Sequence, residues 1–191
     1  MRVAFYGGSF NPPHVAHVLA VTYALSAGGF ERVLVVPVYS HAFDKQLCPF
    51  EHRVRMCGLA MGWLPGVEVS EVEASLETPS LTLRTLEHLA AAHPDYELRL
   101  MVGADVLGEA DKWYAFDRVG ELAPPYVLGR VGVQHPDAPP PVVPDVSSTR
   151  IRALLSRRGS PEADAELSRS VPRDVLAYID EHGLYCGERS A

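Results

Sequence analysis

Short apolar runs alternate with helix-length segments along most of this chain, and that alternation limits the folds open to it. Residues 3–6 (VAFY) form a continuous apolar run ending in Gly7-Gly8, the pattern of a strand buried on both faces. Residues 14–26 read as a helix ended by Gly28-Gly29, and residues 32–38 (RVLVVPV) as a second strand. The series continues with a helix from near Pro49, a short strand at 67–69 and a helix at 81–93 stopped by Pro94. A strand at 98–102, a helical region from about 104 to 122 and a strand at 126–130 follow. Strands separated by such helices make βαβ crossovers, a parallel sheet and a ligand edge at the strands' carboxyl ends. The expected fold is a doubly wound, Rossmann-like α/β domain spanning residues 1–191.

Residues 135–145 (HPDAPPPVVPD) contain five prolines and read as a rigid loop rather than a linker. Beyond them lie a serine-capped helix at 147–159 (SSTRIRALLSRRG) and a last amphipathic helix in 171–185, with Pro172 near its start and Gly183 at its end. Together they predict a small C-terminal helical part, residues 147–191.

A hydrophobic content of 47% supplies a sizeable core, and a net charge of −7 argues against an extended nucleic-acid surface. Anions can still bind in a pocket where basic groups are concentrated. The most apolar run falls far short of the roughly 20 residues of a membrane span, and the opening residues lack the apolar core of a signal peptide. Cys48, Cys57 and Cys186 are scattered, without CxxC spacing. These features predict a soluble, cytoplasmic protein with no membrane or nucleic-acid partner.

The chemistry concentrates in FYGGSFNPPHVAH, residues 5–17. Asn11 suits an N-cap and Pro12 the first helical position, so the helix is expected to start there. His14 and His17 then share one face at a helix N-terminus, where the dipole favours an anion, and Gly7 and Gly8 allow close approach to the backbone. Zinc is the chemical rival, but it needs further ligands at recognisable spacing, and no acid or cysteine lies nearby in sequence. A purely structural pair, satisfied by local hydrogen bonds, stays open. Neither GxxxxGK[ST] nor GxGxxG occurs.

A second basic pole lies in SSTRIR, residues 147–152. Arg150 and Arg152 fall near a helix start, where each positive charge costs roughly 0.3–1 kcal/mol unless an anion sits opposite. Two solvated arginines are the alternative. Trp113, followed by Tyr114, offers a flat surface for an aromatic ring, or else belongs to the core.

GGSFNPPHVAH resembles the (T/S)xxxxHxxH signature of the nucleotidyltransferase superfamily, and within it the bacterial nicotinate mononucleotide adenylyltransferases. PFEHR (49–53), TPSLTLRTLEHL (78–89), VGADVLGEADKW (102–113), SSTRIR (147–152) and the ending VLAYIDEHGLY extend the resemblance over nearly the whole chain. It implies adenylyl transfer from ATP, with magnesium, to nicotinate mononucleotide, giving the dinucleotide and pyrophosphate. It implies His14, His17, Lys45 and Arg152 as catalytic donors, and Gly7, Gly8, Ser9, Phe10, Ser147, Ser148 and Thr149 with them around ATP. Arg53, Thr82, Thr85, Asp105, Trp113 and Arg130 are implied around the mononucleotide.

Two segments depart from the family pattern. The loop YSHAFDKQL (39–47) replaces a proline-rich one, leaving Lys45 as its equivalent lysine, with His41 beside it. In SLTLRTL, Leu81 and Arg84 stand where relatives carry an aromatic and a commonly non-basic residue. Preference for the amide, nicotinamide mononucleotide, therefore remains open. So do a sister enzyme such as pantetheine-phosphate adenylyltransferase or a cytidylyltransferase, and a catalytically silent nucleotide-binding module.

Overall fold

The computed structural model describes residues 1–40, 47–108, 113–133, 135–136 and 138–186. Six strands form one parallel sheet: β1 (Arg2–Gly8), β2 (Arg32–Pro37), β3 (Val67–Val69), β4 (Glu97–Gly103), β5 (Pro125–Arg130) and β6 (Pro141–Val143). Their order is β3-β2-β1-β4-β5-β6, which reverses direction between β1 and β4. Among the described residues, seven α-helices connect or follow them: α1 (Val15–Ser26), α2 (Phe50–Met61), α3 (Thr82–Ala92), α4 (Phe116–Leu122), α5 (Ser148–Leu155), α6 (Pro161–Ser170) and α7 (Arg173–His182).

The strands are apolar on both faces because helices cover both. Val3 and Phe5 of β1 join Leu34 and Val36 of β2 and Leu98, Leu100 and Val102 of β4 against α3 and α4. Ala4, Val33, Val35 and Met101, one residue out of phase, pack against α1, α2, α5, α6 and α7. The doubly wound expectation holds.

Four local expectations change. The first helix starts at Val15 with His14 as its N-cap, not at Asn11. Asn11 and Pro12 each precede a proline, which disfavours helical backbone there. Within 104–122 the described residues form a 3-10 turn (Ala104–Gly108) and α4, which starts after Ala115 in a left-handed conformation, φ 50°. The proline-rich stretch contributes β6, an edge strand, where a missing N–H is tolerated. Its approach depends on Gly129, since a Cβ there would collide with the carbonyl oxygens of Pro139 and Pro140. Finally, α6 was not anticipated, although Ser160 caps it by accepting from the Ala163 N–H and Pro161 occupies its first turn.

Leu86 of α3 is fully buried on the α3/α4 face of the sheet. Leu86→Ala is expected to lower the unfolding free energy by about 2–5 kcal/mol, read from urea titration.

Candidate active site

The sheet opens where its order reverses. β1 stays in register with β2 down to the Gly8–Pro37 pair, and β4 with β5 down to Gly103–Leu128. The ladder between β1 and β4, however, runs only from Arg2–Glu97 to Phe5–Leu100. The last residues of the two strands therefore part, forming the crevice at a topological switch point where open α/β sheets bind ligands. Gly7 and Gly8 form one lip, and Gly103 with the exposed Asp105 the other.

The two histidines stand at the start of α1, just beyond the β1 lip. The His14 backbone N–H donates to His17 Nδ1 at 3.1 Å. A backbone N–H can only donate, so the neutral His17 ring carries its proton on Nε2. The rings stack with centroids 3.7 Å apart at 23°, and Phe10 meets His17 edge-on at 5.0 Å. Burial and then the Arg130 charge push His14 down to about 3, and its side-chain Nδ1 is buried with no hydrogen-bond partner among the described residues. Burial, His14 and Arg130 hold His17 well below the ordinary histidine range. At pH 7 both rings are neutral hydrogen-bonding groups.

The loop between β1 and α1 is gripped from several elements. Phe10, buried with φ 44°, takes a left-handed conformation that costs a non-glycine residue on the order of 1 kcal/mol. Arg53 of α2 donates from its NH1 nitrogen to Ser9 O (3.1 Å) and from Nε to Cys48 O (2.8 Å). Asn11 Oδ1 accepts from the Cys48 N–H and the Tyr185 hydroxyl, while Asn11 O accepts from Arg152 at 2.7 Å. Ser148 donates its hydroxyl to Pro12 O at 2.9 Å. The second basic pole thus lies directly against the loop that carries the first.

Two of the candidates are buried beneath the site. Arg53 is 1% exposed and donates from Nε and one NH1 hydrogen to backbone carbonyls, so it shapes the loop before α1. Thr85, also 1% exposed, shares its single hydroxyl hydrogen between Glu73 Oε1 and Leu81 O, each at 3.2 Å. Glu73 is the residue sequence reasoning missed: buried, it accepts from the Tyr39 N–H and fixes the segment that follows β2. Nothing in its local sequence marks it out.

In α5, Ser147 caps the helix by accepting from the Arg150 N–H, with Ser148 and Thr149 in the first turn. Arg150 pairs with Glu166 of α6 at 2.6 Å, so half of the predicted charge conflict is settled within the chain. Arg152 also reaches Thr149 Oγ1 at 3.3 Å.

The remaining candidates lie at β5 and on the α3/α4 side of the sheet. Arg130 ends β5, held by Val146 O (2.8 Å) and Asp145 (3.4 Å). Thr82 opens α3 and is half-buried. Trp113 packs half-buried against the α3/α4 core, edge-on to Phe116 at 5.9 Å, while Tyr114 is 66% exposed. Arg84 donates to Glu77 O and pairs with the Glu77 carboxylate, which turns its charge toward the 77–79 turn. His41 and Lys45 lie outside the described residues. Among the described residues, no helix is long and apolar enough to cross a membrane, and no group of three or more His, Cys, Asp or Glu could hold a metal ion.

A doubly wound sheet with an HxxH helix start at its switch point defines a nucleotidyltransferase, and residues 5–154 match the cytidylyltransferase-like family. A relative from Anaeromyxobacter sp. (strain K), described as a probable nicotinate-nucleotide adenylyltransferase, is 49% identical over 190 residues, covering 97% of each chain. A Myxococcus xanthus relative of the same description is 40% identical over 189 residues, covering 97% of this chain and 95% of its own. The chain belongs to this family, among its nicotinate-nucleotide adenylyltransferases. The solved structure of Plasmodium falciparum nicotinic acid mononucleotide adenylyltransferase complexed with NaAD shares the fold, with a TM-score of 0.82 at 18% identity, over 96% of this chain and 97% of that one.

The depressed histidines make a pH prediction. Below about 6.5 the unfolded chain takes up a proton that folded His14 refuses until about 3, so this contribution destabilises the fold as pH falls through that window. His14→Gln is expected to flatten the stability-against-pH slope between pH 6.5 and 5 by about 1 kcal/mol per unit, measured by urea unfolding without ligand. Equal slopes in the two proteins would contradict the buried, neutral assignment.

Proposed function

We propose that this chain transfers the adenylyl group of ATP to nicotinate mononucleotide, releasing pyrophosphate and forming nicotinate adenine dinucleotide for NAD biosynthesis. The observation that carries this reading is the stacked, neutral histidine pair at a helix N-terminus beside the β1/β4 opening. Relatives described as probable nicotinate-nucleotide adenylyltransferases supply the substrate class.

The nucleophile is a phosphate oxygen of the mononucleotide, already anionic at pH 7, so no strong base is required. It attacks the α-phosphorus of ATP in line, and the bond to the bridging oxygen breaks with its electron pair leaving on pyrophosphate. Magnesium enters as part of the substrate, bound to the nucleotide phosphates.

The protein's work is positioning and charge stabilisation. Gly7, Gly8, Ser9 and Phe10 shape the floor for ATP, and the α1 N-terminus directs its free amides at the phosphates. His17 donates from Nε2, and His14 stands stacked against it. Neutral donors of this kind approach an anion without the cost of burying a cation beforehand. Arg152, with Ser147, Ser148 and Thr149, faces the triphosphate from α5, and Lys45 is assigned there from the resemblance alone. Thr82, Asp105, Trp113 and Arg130 are assigned to the mononucleotide, with Arg53 and Thr85 acting behind them on the backbone and on Glu73. We take residues 1–191 as one catalytic unit whose C-terminal helices share a core with α1 and α2. The cytoplasm is the proposed setting, where ATP is abundant and three unpaired cysteines stay reduced.

His17→Ala is expected to lower turnover at least about 100-fold, the effect of losing a preorganised electrostatic donor, in pyrophosphate release with ATP and nicotinate mononucleotide. Near-normal turnover would sink the assignment. Trp113→Ala is expected to raise KM for the mononucleotide more than KM for ATP. Equal or reversed effects would return Trp113 to a core role.

A further inference from the structure

Beyond α7 the chain makes a contact that the reaction chemistry does not by itself require. Gly183, with φ 59°, ends the helix, and Leu184 N–H closes it by donating to Ile179 O at 3.0 Å. Tyr185 follows with φ 60°, a left-handed conformation that a side chain rarely adopts. That backbone turns the ring inward, and the hydroxyl donates to Asn11 Oδ1 at 2.9 Å. Burial raises the Tyr185 pKa far above the tyrosine range, so the hydroxyl stays protonated and able to donate.

Asn11 is a junction rather than an end point. The same Oδ1 accepts the Cys48 N–H at 3.1 Å, at the approach to α2, and the Asn11 carbonyl takes Arg152 at 2.7 Å. One residue therefore fixes the spacing between the histidine helix, the α2 approach and the basic pole of α5. Tyr185, whose hydroxyl also interacts with the Cys48 thiol, is the member of this set whose oxygen can be deleted without removing the Cys48 N–H or Arg152 themselves.

We propose that Tyr185 is a positioning residue for adenylyl transfer: through Asn11 it holds the loop before α1 so that the histidines and Arg152 face one substrate. The proposal rests on the adenylyl-transfer reading for its kinetic part. Its structural part stands independently.

The test compares Tyr185→Phe, which deletes one oxygen, with Tyr178→Phe on α7. Tyr178 hydrogen-bonds His52 at 2.8 Å, a contact not shared with the loop before α1. Pyrophosphate release should show kcat of the Tyr185 variant reduced about tenfold with both KM values within about twofold, and the Tyr178 variant unchanged. Hydrogen exchange, which needs no turnover, should show the Cys48 and His14 amides exchanging at least about fivefold faster in the Tyr185 variant alone. If wild-type protein releases no pyrophosphate, adenylyl transfer fails but the exchange result still decides the latch. Unchanged kcat in an active enzyme, unchanged exchange, or equal losses in both variants would each overturn the proposal.

Discussion

β1 runs beside β2 to its last residue but leaves β4 after Phe5, and the site is built around that separation. Two glycines make it possible: a Cβ on Gly7 would press on the Phe5 ring at 2.9 Å, and one on Gly8 on the Phe10 ring at 3.2 Å. With no side chains there, Phe10 folds back into the core and the chain turns sharply into α1. The turn brings His14 to the helix N-terminus and stacks it on His17. The α3/α4 face of the sheet stays closed beneath, so the opening is confined to the strand ends.

A chain of net charge −7 needs a local device to hold a triphosphate. The device here concentrates donors rather than formal charges. Stacking and burial keep the two imidazoles uncharged, the His14 N–H fixes which nitrogen of His17 can donate, and Arg130 adds a positive field from β5. A buried unpartnered nitrogen and a left-handed Phe10 are unfavourable features that the surrounding clamps sustain. Arg53, Asn11 and Arg152 supply those clamps from three separate parts of the chain.

The elements legible in the sequence are those whose signal is local. Buried strands such as residues 33–36 and the capped start of α5 at Ser147 announce themselves within a few residues. The HxxH pair was legible for the same reason, its two rings lying three residues apart and stacking at the start of α1. The exact start of α1 was not, because its proline pair acts through the residues that precede it. Arg53 stands in FEHR, matched there by resemblance, and nothing local to that segment shows that it donates to Ser9 and Cys48. Glu73 left no local signal, and Tyr185, though within the ending VLAYIDEHGLY, gave no sign of its partner Asn11, 174 residues away. The proline-rich stretch misled in the other direction, since an edge strand tolerates the residue that forbids a central one.

The most direct measurement is product formation by the wild-type protein with ATP and magnesium, offering nicotinate mononucleotide or its amide at matched concentrations. The account predicts one pyrophosphate released for each dinucleotide formed, with the acid preferred. Pyrophosphate without dinucleotide, or nucleotide binding with neither product, would contradict it.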